Sequence, residues 1–220
     1  MEKTPGSKII LDLCGGTGSW SNPYKDAGYT VYNITHDDYD IFTCIYRPHE
    51  LIFPHSKDSS KNITIDINDI YGILAAPPCT EFSFGKHHTG DRDIGKGLEA
   101  VEECLELIKY IKLRGDLKFW ALENPLGYLR QFLGKPPLTF HPYEYGDNYT
   151  KRTDIWGYYN IPNKKPKILT PDEIERNKTS NRILPKAPKD YAVPKAMNLK
   201  QVKRSITSKY FAEAFFKCNK

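Results

Sequence analysis

The apolar run Ile9-Ile10-Leu11-Asp12-Leu13 breaks directly into Cys14-Gly15-Gly16-Thr17-Gly18, and this junction limits the folds open to the chain more than any other segment. A short strand feeding a glycine-rich turn belongs at the carboxyl edge of an open α/β sheet, where glycine lets the backbone approach a ligand closely. No Lys-Ser or Lys-Thr follows Gly18, which disfavours a triphosphate loop, and the spacing departs from the dinucleotide fingerprint. Pro23 lies near the start of an intervening helix, where its missing N–H is harmless. Tyr29 to Ile34 then reads as the second strand, Ile63 to Ile67 as the third and Tyr71 to Ala75 as the next. Between them, Thr43 to Asn62 carries Pro48, Pro54 and a serine-rich stretch and reads as a long loop. The alternation predicts an α/β class built on a parallel sheet.

Downstream, Phe84 to Gly97 is rich in glycine and charge and reads as a loop. Leu98, Val101, Leu105, Ile108 and Ile111 recur at helical spacing and predict one amphipathic helix ending before Gly115. Phe119 to Leu122 reads as a strand and Leu126 to Phe132 as a short helix. Thr139 to Tyr145 with Thr153 to Tyr159 reads as an antiparallel closing pair, and Tyr210, Phe211, Ala214 and Phe215 mark a C-terminal helix. At 220 residues the chain fits one domain with a small appendage. No apolar run approaches the ~20 residues of a membrane span, and Met1 to Ser7 lacks a signal-peptide core, so a cytoplasmic protein is expected. Five cysteines without a Cys-x-x-Cys pair point to free thiols, with neither a disulfide framework nor a structural zinc site. The net charge of +5 is concentrated between Asn160 and Arg204, which suits a polyanionic partner.

The chemistry centres on Ala75-Ala76-Pro77-Pro78-Cys79-Thr80-Glu81-Phe82-Ser83, where two prolines force a turn and place a thiol just beyond a strand. A second strand ends on a carboxylate in Phe119-Trp120-Ala121-Leu122-Glu123-Asn124-Pro125. Taken in order, the glycine turn, the Pro-Pro-Cys turn and the Glu-Asn-Pro strand resemble motifs I, IV and VI of the cytosine C5-methyltransferases.

The resemblance implies a Rossmann-like S-adenosylmethionine methyltransferase fold: a mostly parallel sheet, an antiparallel closing hairpin and a small basic irregular segment. It implies that Asp12, Cys14, Gly15, Gly16, Gly18 and Pro77 hold S-adenosylmethionine, with Asp37 on the ribose and Asp66 at the adenine. Cys79 would attack C6 of cytosine and Glu123 would hold or protonate N3. Lys151-Arg152-Thr153-Asp154 is similar to the basic motif VIII, which makes Arg152 the base or phosphate contact near the nucleophile. Ser83, His87, His88, Lys151, Lys164 and Lys165 are the expected nucleic-acid contacts; no metal is expected, since His87 and His88 lack spaced partners. The implied partner is double-stranded DNA with the target base flipped out, bound by a monomer, with restriction-modification as one setting. Residues 1–157 would form the catalytic core, 158–203 a short recognition segment and 204–220 a helix packing back on the core. Two alternatives stand beside this: the same chemistry on tRNA, and a non-catalytic nucleic-acid-binding subunit. The chain departs from the family pattern at Cys14, where Phe is usual, at Thr80, where Gln is usual, and in Arg204 to Ala212, which lacks the Gly-Asn pair of motif X.

Overall fold

The computed structural model describes residues 8–84, 91–179, 184–186 and 199–220. Strand β1 (Ile9–Leu13) passes through the glycine turn into the short helix α1 (Asn22–Asp26) and returns as β2 (Thr30–Ile34). Strands β3 (Ile45–Arg47), β4 (Glu50–Phe53) and β5 (Ile63–Asp66) precede β6 (Ile70–Ala75), and helix α2 (Ile94–Arg114) leads into β7 (Phe119–Pro125). Helix α3 (Arg130–Leu133), strands β8 (Leu138–Phe140) and β9 (Thr153–Tyr158), and helices α4 (Pro171–Thr179), α5 (Leu199–Ser205) and α6 (Lys209–Cys218) complete the described chain.

The central sheet runs β2-β1-β6-β7-β9-β8. Its first four strands are parallel, β9 is antiparallel to both β7 and β8, and the whole is a mostly parallel Rossmann-like α/β sheet with an antiparallel end. Side chains alternate across it, as a strand requires. Leu11, Leu13, Ile73, Ala75 and Leu122 pack with Val101, Cys104, Leu107, Ile108 and Ile111 of α2. Ile10, Leu74, Phe119 and Ala121 pack on the other face with Trp20, Tyr24, Phe211 and Phe215, so α6 covers that side.

Several elements differ from the expectation: α2 already begins at Ile94, inside the stretch read as a loop, and the strand read over Thr139 to Tyr145 covers only Leu138–Phe140 before a helical turn over Pro142–Tyr145. Ile63 to Asp66 does not join the central sheet; it pairs antiparallel with β4, which pairs with β3, as a separate three-stranded sheet. Pro48 and His49 are the two-residue turn between Arg47 and Glu50, so a proline read as a loop signal marks a hairpin, and burial of Leu51, Phe53 and Ile65 holds it together. The short helix begins later than expected, because the N–H groups of Leu126 and Tyr128 donate to the carbonyls of Arg152 and Phe82. Among the described residues no helix is long and apolar enough to cross a membrane.

Phe215 is fully buried, with ring centroids 5.4 Å from Trp20, 5.8 Å from Phe119 and 5.3 Å from Tyr159. Phe215→Ala is expected to lower unfolding free energy by about 3–5 kcal/mol in a denaturant titration, and a loss below about 1 kcal/mol would contradict this packing.

Candidate active site

The parallel register brings three chain segments to one edge. Leu13 lies opposite Ala75, and Ala75 opposite Leu122, so the glycine turn, the Pro-Pro-Cys turn and Glu123 emerge side by side. Cys14, Gly16 and Gly18 all have positive φ, which bends the chain away from β1 at once. At Gly15 a Cβ would lie 2.2 Å from the Asp12 carboxyl carbon, so no larger residue fits against that acid. Asp12 is fully buried and its Oδ2 accepts from Ser21 Oγ at 2.5 Å, while Oδ1 has no partner among the described residues. Burial pushes the Asp12 carboxyl up to about 7 against the opposing effect of Ser21. Asn33, which the sequence did not single out, donates from Nδ2 to the Gly16 carbonyl at 2.9 Å and ties β2 to the turn.

The other expected cofactor residues are placed as follows. Asp37 is exposed just beyond β2, with φ of 84°. Asp66 ends β5, and its carboxylate accepts from the Asn68 N–H at 3.0 Å. Pro77 is buried and its carbonyl accepts from Asn124 Nδ2 at 3.2 Å, linking the Pro-Pro-Cys turn to β7.

Cys79 is half-buried on a turn clamped from several directions. Its carbonyl accepts from the N–H groups of Phe82 and Ser83, and the buried Phe82 ring anchors the turn in the core. Gly127 comes so close that a Cβ there would sit 2.1 Å from the Phe82 carbonyl oxygen. Arg92 donates to the carbonyls of Glu81 at 2.8 Å and Ser83 at 2.9 Å, with its guanidinium 4.9 Å from the centre of the Tyr128 ring. A planar fork can hold two carbonyls in this way where a lysine cannot. Burial first, and then the Glu123 carboxylate, push the Cys79 thiol up, while Lys151 and Arg204 act in the opposite direction.

Glu123 is 9% exposed and receives Lys151 Nζ at 3.3 Å. Arg152 is placed differently from the expectation: it is exposed and its charge is felt by His141, while the residue beside Glu123 and Cys79 is Lys151. Tyr149, Lys151 and Thr153 line one cavity with Glu123, and Arg152 is not on its wall. Asp154, of the same motif, is fully buried and takes both oxygens to Arg130 at 2.6 Å, a structural ion pair.

Arg204 also went unassigned. It lies on α5 between buried Val202 and Ile206, and the following Thr207 N–H donates to Ser19 Oγ at 2.9 Å, which docks this segment on the glycine turn. Among the expected nucleic-acid contacts, Ser83 forms a bridge with Gly127 and Lys151 is engaged with Glu123. Lys164 is exposed and reaches Glu144 at 2.6 Å, and Lys165 is exposed. His87 and His88 lie outside the described residues. Among the described residues no three His, Cys, Asp or Glu side chains group as metal ligands.

No family model matches the chain. It is similar to the Type II methyltransferase M.DdeI of Desulfomicrobium norvegicum, 27% identical over 128 residues, a stretch that covers 54% of this chain and 28% of that protein. The chain therefore spans well under half the length of the relative it matches. The match supports the resemblance carried by the glycine turn, the Pro-Pro-Cys turn and the Glu-Asn-Pro strand.

Two titrations follow from the site. The Asp12 carboxyl lies above its unfolded value, so between about pH 4 and pH 7 the folded chain retains a proton that the unfolded chain has lost. Stability is expected to fall through that window by about 4 kcal/mol and to level off above it. Asp12→Asn should flatten this part of the profile in denaturant titrations at several pH values; an unchanged slope would refute the assignment. Alkylation of Cys79 by iodoacetamide, followed by peptide mass spectrometry, should still accelerate above the ordinary thiol value of about 8.5. Lys151→Gln should slow it at a given pH, and a rate already level by about pH 8 would contradict the raised thiol.

Proposed function

We propose that this chain, a relative of the cytosine C5-methyltransferases, is a DNA cytosine C5-methyltransferase that uses S-adenosylmethionine. The observation that carries the reading is the meeting of Cys79 and Glu123 just beyond the last parallel pairing of β6 with β7, next to the glycine turn. Similarity to a type II methyltransferase supports methyl transfer as the reaction.

The features of the turn fit the cofactor. The buried Asp12 carboxyl has an unpartnered oxygen, which suits a cationic group, and the missing Cβ at Gly15 lets the turn fold directly against that acid. Asp12, Cys14, Gly15, Gly16, Gly18 and Pro77 would hold S-adenosylmethionine, Asp37 would accept from its ribose hydroxyls and Asp66 would meet its adenine amino group. When bound, it supplies a methyl group on a positively charged sulfonium.

Cys79 Sγ, as the thiolate, forms a bond to C6 of cytosine, and the pair displaced from the C5–C6 double bond moves towards N3. Glu123 holds the proton at N3, which leaves C5 electron-rich and able to accept the methyl group. Loss of the C5 proton to a base then restores the double bond and expels the thiolate. Lys151 and Arg204 favour that thiolate at the start and the end of the cycle. The target base is flipped from the helix to reach Cys79, at a cost of a few kcal/mol. Residues 158–203 form the recognition segment in this reading, with 1–157 as the catalytic core and 204–220 packing back on it. A short basic segment contacts phosphates more than base edges, so a short target sequence and a steep salt dependence are expected.

The test uses DNA with 5-fluorocytosine at the target, which blocks loss of the C5 substituent as a proton and traps the covalent species. A denaturation-resistant complex is expected with the wild-type chain and none with Cys79→Ala; its persistence in the variant would remove Cys79 as nucleophile. Labelled cofactor with DNA or tRNA decides the polymer. Label on tRNA alone would move the substrate to RNA, and DNA binding without label would leave a non-catalytic role.

A further inference from the structure

Beside Glu123 lies a buried polar group with no part in the steps above. Tyr149 is 1% exposed, and its hydroxyl has no hydrogen-bond partner among the described residues. A buried unpaired hydroxyl is costly, and one in a folded core calls for a physical explanation. Tyr149 and Glu123 line the same cavity of about 10 Å³, with Lys151, Thr207 and Ser208 also on its wall. That is room for about one water, and the wall offers the polar partners that a buried water needs.

Three of the neighbouring polar side chains are already engaged. Lys151 Nζ is on Glu123 at 3.3 Å, the Thr153 hydroxyl donates to the Lys151 carbonyl at 3.0 Å, and Ser208 donates to Asp147 while accepting from the Phe211 N–H. Burial first, then the charges of Asp147 and Glu123, push the Tyr149 phenol up, so it remains a neutral donor. Tyr149 shares the wall of this cavity with Lys151 and Thr153.

We propose that Tyr149 is a positioning residue for Glu123: its hydroxyl donates to one water held in this cavity, and that water donates to the Glu123 carboxylate. The carboxylate is then oriented from two sides, by Lys151 directly and by Tyr149 through the water. The catalytic consequence rests on the reading of Glu123 as the acid that serves N3. No covalent step is added, because the device only orients the acid.

The test pairs two measurements on the full chain. Tyr149→Phe keeps the ring and removes the hydroxyl. It is expected to leave folding stability and the KM for S-adenosylmethionine unchanged while lowering kcat for DNA methylation about 5- to 10-fold, the worth of one hydrogen bond. A kcat equal to the wild type, or a loss that tracks lowered stability, would overturn the proposal. Independently of turnover, a high-resolution crystal structure of the wild-type chain should show one water within hydrogen-bond reach of both Tyr149 Oη and Glu123. A dry cavity, or the hydroxyl bonded elsewhere, would overturn it even in an active enzyme. If the water is present and the wild-type chain methylates no cytosine, the assigned reaction fails and the Tyr149–Glu123 link stands.

Discussion

The in-register ending of three parallel strands governs the rest of the molecule. Leu13, Ala75 and Leu122 sit side by side, so whatever follows each of them must share one crevice. A slip of one residue in β6 would send its side chains to opposite faces of the sheet and carry Cys79 away from Glu123. The register is secured on both faces, by α2 against Leu11, Ile73 and Leu122, and by the aromatic cluster of α6 against Ile10, Leu74 and Ala121. The chemistry at the edge is therefore set by packing in the middle.

Electrostatics within the crevice show a division among the basic residues. Lys151 and Arg204 oppose the rise of the Cys79 thiol that burial and Glu123 produce, so they act inside the site. Arg130 is consumed by the buried Asp154, where its fork and the Thr139 hydroxyl satisfy both oxygens and hold β9 to the short helix α3. Arg152, Lys164 and Lys165 are exposed instead, Lys164 in an ion pair with Glu144. Net charge alone conceals this partition.

Much of the site was legible because its signals are local. A glycine turn after an apolar strand, two prolines before a thiol and a carboxylate closing a strand each identify themselves within a few residues, and the fold brings them together. The choice between Lys151 and Arg152 was not local. It depends on which of two neighbours shares a cavity with Glu123 and Thr153, a tertiary relation that the basic pair by itself does not reveal. Arg204 and Ser19 are brought near Cys79 and Thr207 by tertiary docking far along the chain, for which no short pattern exists. The hairpin of β3 and β4 was hidden for the opposite reason, since Pro48 signals a break and the break proved to be only a two-residue turn. Nothing in the sequence singles out Tyr149, and only its unpartnered hydroxyl distinguishes it.

The docking of α6 and the segment before it onto the glycine turn bears on the order in which the protein is made. Ser19 emerges early from a ribosome, yet the N–H it accepts belongs to Thr207, and Trp20 finds its ring partners in Phe211 and Phe215. During vectorial synthesis the first strand and its turn must wait for this late segment before that face of the sheet is covered. A nascent chain therefore carries an uncovered aromatic surface until α6 has emerged, and the glycine turn gains this support only then.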